Sequence, residues 1–170
     1  MDKFSKNLVS TNSVKEIIRT LIGFDTTSNN SNLELINFAQ NILLSHGAEC
    51  EIIFNKLKNK ANLFASVGPK VPGGVILSGH TDVVPVINQK WDSDPFNLTE
   101  KNGRLYGRGA CDMKSFIGIA LALLPEFSSA NLKFPIHFSL SYDEEVGCLG
   151  VSSLIKYIKE KKITNASIIV

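Results

Sequence analysis

VILSGHTD, residues 75–82, decides how the rest of the chain reads. Val75 to Ser78 is a short apolar run of the kind that a buried central strand requires. The run stops at Gly79 and hands over to His80, Thr81 and Asp82, three polar residues at the point where the strand leaves the sheet. A second segment repeats the arrangement. Ile136, Phe138, Leu140 and Tyr142 alternate with His137, Ser139 and Ser141, which is the period of a strand, and Asp143, Glu144 and Glu145 follow.

Helical patterns lie outward from these two strands. Val14, Ile17, Ile18, Leu21 and Ile22 recur at helical spacing behind a capping box, Ser13 to Glu16. The Thr/Ser/Asn-rich stretch from Asp25 to Asn32 reads as a loop ending at an N-cap, Asn32. Leu35, Ile36, Ala39, Ile42 and Leu43 form a second stripe, closed by Gly47 past its C-terminus. Cys50–Phe54 and Asn62–Val67 read as strands, 69–74 as a turn, and Asn102-Gly103 as a two-residue hairpin turn. Met113 to Leu124 reads as a nearly all-apolar helix ended by Pro125, Leu149 to Lys159 as a helix, and Ala166 to Val170 as a strand. Helices alternate with strands, so the fold class is α/β, a mixed sheet flanked by helices.

The 170 residues suit one domain, and 44% hydrophobic with 20% charged residues excludes a wholly disordered chain. The net charge of +2 comes with no basic stripe, so no nucleic-acid partner is expected, and the Lys156–Lys162 cluster reads as a solvated helix end. The polar start and the short apolar runs predict no leader and no membrane partner. Cys50, Cys111 and Cys148 are too few and too scattered for a disulfide framework and fit reduced thiols, hence a cytoplasmic protein.

The chemistry is expected just past the strand ends, where ligands bind in open α/β sheets. His80 and Asp82, the loop Gly107 to Asp112 and the run Asp143-Glu144-Glu145 would bring several acids into one crevice, where they repel unless cations are bound. Imidazole with carboxylate suits zinc, and also cobalt or manganese. Asp82 could accept the second N–H of His80, Asp112 at a helix start could bridge two ions, and Glu144 and Glu145 could divide the work of ligand and general base. Singly, each has a bland alternative. Asp82 suits a turn, Asp112 a helix cap, the acidic run a solvated loop, and Cys111 a small buried thiol. His137 suits a strand face; as a third ligand it would complete a facial triad for non-haem iron. The joint occurrence of all three clusters favours metal.

Read together, S78-G-H-T-D-V-V-P-V86, W91-D-S-D-P-F96, N102-G-R-L-Y-G-R-G-A-C-D-M-K114 and S141-Y-D-E-E-V-G-C-L-G150 resemble the dinuclear metallo-aminoacylases and carboxypeptidases, in the order in which that family carries them. Their wording is most similar to the acetylornithine-deacetylase branch, with succinyl-diaminopimelate desuccinylases as the alternative. The resemblance implies a zinc-peptidase-like catalytic domain. It implies two divalent ions, zinc first and cobalt second, with His80, Asp112 and Glu145 as ligands and Asp112 bridging. Asp82 orients His80, and Glu144 is the general base. The implied reaction is hydrolysis of a small N-acyl amino acid. Ser115 departs from the glycine usual after Asp-Met-Lys. The family also carries a further acidic ligand, a distant histidine and a lid domain for dimerisation and substrate binding. The expectation is therefore that residues 1–170 form the N-terminal part of the catalytic domain, without the C-terminal part, the lid or the homodimer interface. Such a chain is inactive alone, a remnant or one half of a split enzyme with a C-terminal partner.

Overall fold

The computed structural model describes residues 11–164 and 166–170. Two helices come first, α1 (Thr11–Gly23) and α2 (Leu33–Ser45), then β1 (Glu49–Phe54), β2 (Ala61–Val67) and β3 (Gly74–His80). A small hairpin, β4 (Thr99–Lys101) with β5 (Arg104–Tyr106), precedes α3 (Lys114–Ala122) and α4 (Leu124–Ser129). The chain continues through β6 (Ile136–Ser141), α5 (Val151–Glu160) and β7 (Ala166–Ile169).

Five strands form one mixed sheet in the order β1-β2-β6-β3-β7. The β1–β2 and β2–β6 pairs are antiparallel, while β3 runs parallel to both β6 and β7. The alternation in β2 and β6 sorts side chains to two faces. Leu63, Ala65, Val67, Phe138 and Leu140 join a core with Leu35, Ile36, Ala39 and Leu43 of α2 and Ile117 and Leu121 of α3. Phe64 faces the other way, where its ring lies 5.5 Å from that of Tyr157 on α5. Burying such side chains is the main term holding the layers together, roughly 1.5–3 kcal/mol for each fully buried aliphatic or Phe.

Helix α1 packs on α3 through a close approach at Gly118, where a Cβ would come within 2.6 Å of Ile18 Cγ1. Asn102 and Gly103, at φ 53° and 72°, supply the left-handed conformations that a two-residue hairpin turn demands.

Several local expectations change. Helix α1 begins at Thr11, so Ser13 lies inside the first turn and not at a cap. Asn32 does occupy the N-cap of α2, but its side chain makes no cap bond; it binds Ala61 and Thr81 instead. Helix α3 ends at Ala122, before Pro125 as expected, but Pro125 also has a second role. It sits at the start of α4, where its missing N–H costs nothing. Strand β3 runs two residues past Ser78, through His80. Among the described residues, no helix is long and apolar enough to cross a membrane.

Candidate metal centre

Parallel pairing places the two decisive strand ends side by side, with His80 opposite Ser141. The next residues along β6 therefore emerge next to His80, although more than sixty positions separate them in sequence.

His80 is buried and held from both sides. Its Nδ1–H donates to the backbone carbonyl of Asp82 at 2.9 Å. A carbonyl can only accept, so in the neutral ring this bond sets the tautomer and leaves Nε2 facing the acidic groups. Nε2 lies 2.8 Å from Asp112 Oδ1 and 3.8 Å from Glu144 Oε2. One ligand atom from each of His80, Glu144 and Glu145 falls within 4.8 Å of the others. Burial works against the charged imidazolium, but hydrogen bonds to Asp82 and Asp112 outweigh it and push His80 up to about 9. Glu145 is raised by partial burial; His80 opposes the rise, and the like charges of Asp112, Glu144 and Asp82 reinforce it.

The carboxylate of Asp82 does not take the expected part. Its Oδ1 is 3.7 Å from His80 Nδ1, beyond a good hydrogen bond, because the residue's own carbonyl occupies that position. The carboxylate accepts instead from Ser28 Oγ at 2.7 Å and from the backbone N–H groups of Glu144 and Glu145 at 2.9 and 3.2 Å. Burial alone would raise its pKa. The His80 imidazole nearby, with the bonds from Ser28 and these two amides, outweighs that and holds Asp82 below the ordinary carboxylate range. Asp82 thus orients His80 with its main chain and the two glutamates with its side chain.

Asp112 is exposed and precedes Met113, the N-cap of α3, so it is free of a capping role. The loop leading to it is braced from behind by Lys114, whose side chain is fully buried. Lys114 Nζ donates to the carbonyl of Phe24 at 2.6 Å, and burial lowers it to about 8. Gly109, at φ 85°, leaves no room for a Cβ between Lys114 and Val83. Beside the loop, the Arg108 guanidinium stacks 5.2 Å from the Trp91 ring.

Cys111 lies elsewhere than expected, and His137 lies where the strand pattern put it. Cys111 is exposed, not buried, because the loop before α3 carries it on its outer side. His137 is buried in β6 opposite Ile76, four residues before the position that faces His80, or about 13 Å along a strand. It cannot complete a facial triad with His80 and Asp82.

Sequence inspection alone missed Ser28 and Lys60, and gave Asp143 only as part of an acidic run. Lys60 and Asp143 form a nearly buried ion pair at 2.6 Å. Ser28 lies in the Thr/Ser/Asn-rich stretch that reads as a plain connector, yet the loop is stitched to the site by a parallel bridge between Thr27 and Val83. Thr26 Oγ1 also donates to the Thr81 carbonyl. The density of hydroxyls in that stretch was the available signal.

The donor set fits a divalent cation. One imidazole nitrogen with its tautomer preset and several carboxylates converge, and partial burial first, then the neighbouring like charges, raise Glu145.

Residues 76–170, more than half of the chain, match peptidase family M20/M25/M40. The chain is 36% identical over 139 residues to an acetylornithine deacetylase of Pasteurella multocida, covering 81% of this chain and 36% of that protein. It is 39% identical over 127 residues to an acetylornithine deacetylase of Proteus mirabilis, covering 74% of this chain and 33% of the relative. It thus spans about a third of the length of the curated relatives it matches. Among solved structures, human carnosine dipeptidase 1 superposes with a TM-score of 0.80 at 22% identity, over 92% of this chain and 37% of that one. An M20 family metallo-carboxypeptidase from Sulfolobus solfataricus superposes with a TM-score of 0.72 at 20% identity, over 99% and 37%.

Proposed function

Because the chain belongs to peptidase family M20/M25/M40, we propose that it supplies the metal-binding end of an amidohydrolase. The substrate is a small N-acyl amino acid, N-acetylornithine first, cleaved to ornithine and acetate in arginine biosynthesis. The observation that carries this reading is the mutual approach of His80, Glu144 and Glu145 within 4.8 Å, with Asp112 on the same imidazole. The substrate assignment draws on the two acetylornithine deacetylases the chain resembles.

His80, Asp112 and Glu145 would hold the divalent ions, zinc or cobalt. Bound ions would supply positive charge that polarises the amide carbonyl and the attacking water. Asp82 holds His80 in the tautomer that keeps Nε2 available as a donor atom. Glu144 accepts the proton of the attacking water and returns it to the leaving amine. Its carboxylate is half exposed, anchored through its backbone amide and open to the crevice.

The test is a chimera in which this chain replaces the matched region of the Pasteurella multocida relative. Zinc- or cobalt-dependent acetate release from N-acetylornithine is measured beside succinate release from N-succinyl-diaminopimelate. Faster deacetylation supports the reading, and faster desuccinylation moves the substrate while leaving amide hydrolysis in place. Glu144→Gln in the chimera is expected to lower turnover by about 10²–10⁴-fold with metal content retained, since the amide keeps the shape but accepts no proton. Loss of metal with turnover restored by excess ion would exchange the roles of Glu144 and Glu145.

A further inference from the structure

Glu144 and Glu145 stand on a turn that folds back tightly on itself. The amides of Gly147 and Cys148 both donate to the Glu144 carbonyl at 3.0 Å, and that of Leu149 to the Asp143 carbonyl at 3.0 Å. The turn opens with Asp143 at φ 55°, a left-handed conformation that costs a residue bearing a Cβ. These local bonds shape the turn but do not aim it. Its aim depends on contacts with the rest of the chain. Asn62 grips its two ends, accepting from the Tyr142 amide and donating to the Gly150 carbonyl, and two further contacts reach the turn itself.

The first is the Asp82 carboxylate, which receives the amides of Glu144 and Glu145. The second is Lys60, eighty-three residues away, which belongs to none of the motifs that mark the site. Lys60 Nζ donates to Asp143 Oδ1 at 2.6 Å, and both side chains are only 12% exposed. The same ammonium donates to the Ser28 carbonyl. Ser28 in turn donates its hydroxyl to Asp82 Oδ2 at 2.7 Å. The contacts close a ring from Lys60 to Asp143, along the chain to Glu144 and Glu145, across to Asp82, through Ser28 and back to Lys60.

We propose that Lys60 is a positioning residue: by clamping Asp143 and the Ser28 carbonyl at once, it sets where Glu144 and Glu145 stand relative to His80. The proposal rests on the reading of Glu144 and Glu145 as groups of the metal site. Its physical basis is that an ammonium offers three donors at one point, so one nearly buried cation holds an anion and a carbonyl from two separate loops. Removing it takes one anchor from each loop, and the turn keeps Asp82 under its two amides and Asn62 at its ends.

The experiment uses the whole chain and two variants, Lys60→Met, which keeps the stem but not the charge, and Lys60→Met with Asp143→Asn, which leaves no orphaned buried charge. Exchange of the Glu144 and Glu145 amides is followed by NMR without metal, and Co²⁺ affinity is read from its visible absorption. In both variants these two amides are expected to exchange at least about tenfold faster, with β3 and β6 amides unchanged, and Co²⁺ to bind about 10–100-fold more weakly. A purely charge-neutralising Lys60 predicts the opposite for the double variant, which would recover both readouts, and that result overturns the proposal. So does unchanged protection of the two amides in Lys60→Met. Where Lys60→Met does not fold, the double variant decides alone. If the unsubstituted chain takes up no Co²⁺, the metal reading fails, while the exchange rates still decide the role of Lys60.

Discussion

His80 and His137 are both buried, both on strands of one sheet and both bonded through each ring nitrogen, yet they sit in opposite electrostatic surroundings. His80 ends β3 and faces Asp112 and Glu144; it is pushed up to about 9 against the effect of burial. His137 lies within β6 among neutral partners. Its Nε2–H points at the Gly73 carbonyl at 3.4 Å, and its Nδ1 accepts from Ser66 Oγ at 2.7 Å. Burial lowers its pKa, and the bond to Gly73 only partly opposes this. The difference teaches that position along the strand, not burial, separates the proposed ligand from the core histidine. At a strand end, backbone turns bring charged loops within reach. In mid-strand, the two neighbouring strands leave room only for their own neutral groups.

The largest expected contrast is in metal binding. His80→Ala should weaken Co²⁺ binding by more than the 10–100-fold typical of losing a group outside the coordination sphere. His137→Ala should leave it within twofold, about the scatter of the measurement. Equal losses in the two variants, followed by absorption titration, would erase the distinction.

Next in size is the dependence of stability on pH in metal-free protein. His80 has a folded-state pKa above its unfolded value of about 6.5. Its contribution is therefore fully present below pH 6.5 and is lost as pH rises through about 9. It should amount to on the order of 1–3 kcal/mol, reduced by solvent at the exposed Asp112. His137 has the opposite sign. Its pKa is lowered on folding, so the unfolded chain binds the extra proton first and stability falls as pH drops below about 6.5. Urea midpoints across pH 5–9.5 should show His80→Gln flattening the alkaline limb and His137→Gln flattening the acid limb. The reverse assignment would show that the two environments have been confused.

The smallest effect concerns the neutral partner. Ser66→Ala removes the hydroxyl donor to His137 and should cost about 1 kcal/mol in thermal or urea unfolding, with Co²⁺ affinity unaltered. A loss of metal affinity in this variant would mean that the two histidines communicate through the sheet.

Much of the site was legible before any coordinates. A hydrophobic run that ends in His-x-Asp and an alternating run that ends in Asp-Glu-Glu both state that acids and an imidazole lie at strand ends, because strand period and burial are local properties of sequence. The hairpin at Asn102-Gly103 was legible for the same reason, since its left-handed backbone suits only a few residue types. Pro125 was read only in part, because the residue that follows the end of α3 also starts α4, and only the chain path shows the second role.

From the sequence alone came the α/β class, the residue types that meet at the carboxyl ends of β3 and β6, and the place of His137 inside an alternating strand. Tertiary structure alone decided that Asp82 reaches His80 through its carbonyl and the glutamates through its carboxylate, that Cys111 faces outward, and that Lys60 and Ser28 close the ring behind Asp143. The physical reason is range. Periodicity and turn chemistry act over a few residues, whereas a hydrogen bond between positions 60 and 143 depends on β2, β6 and β3 lying side by side.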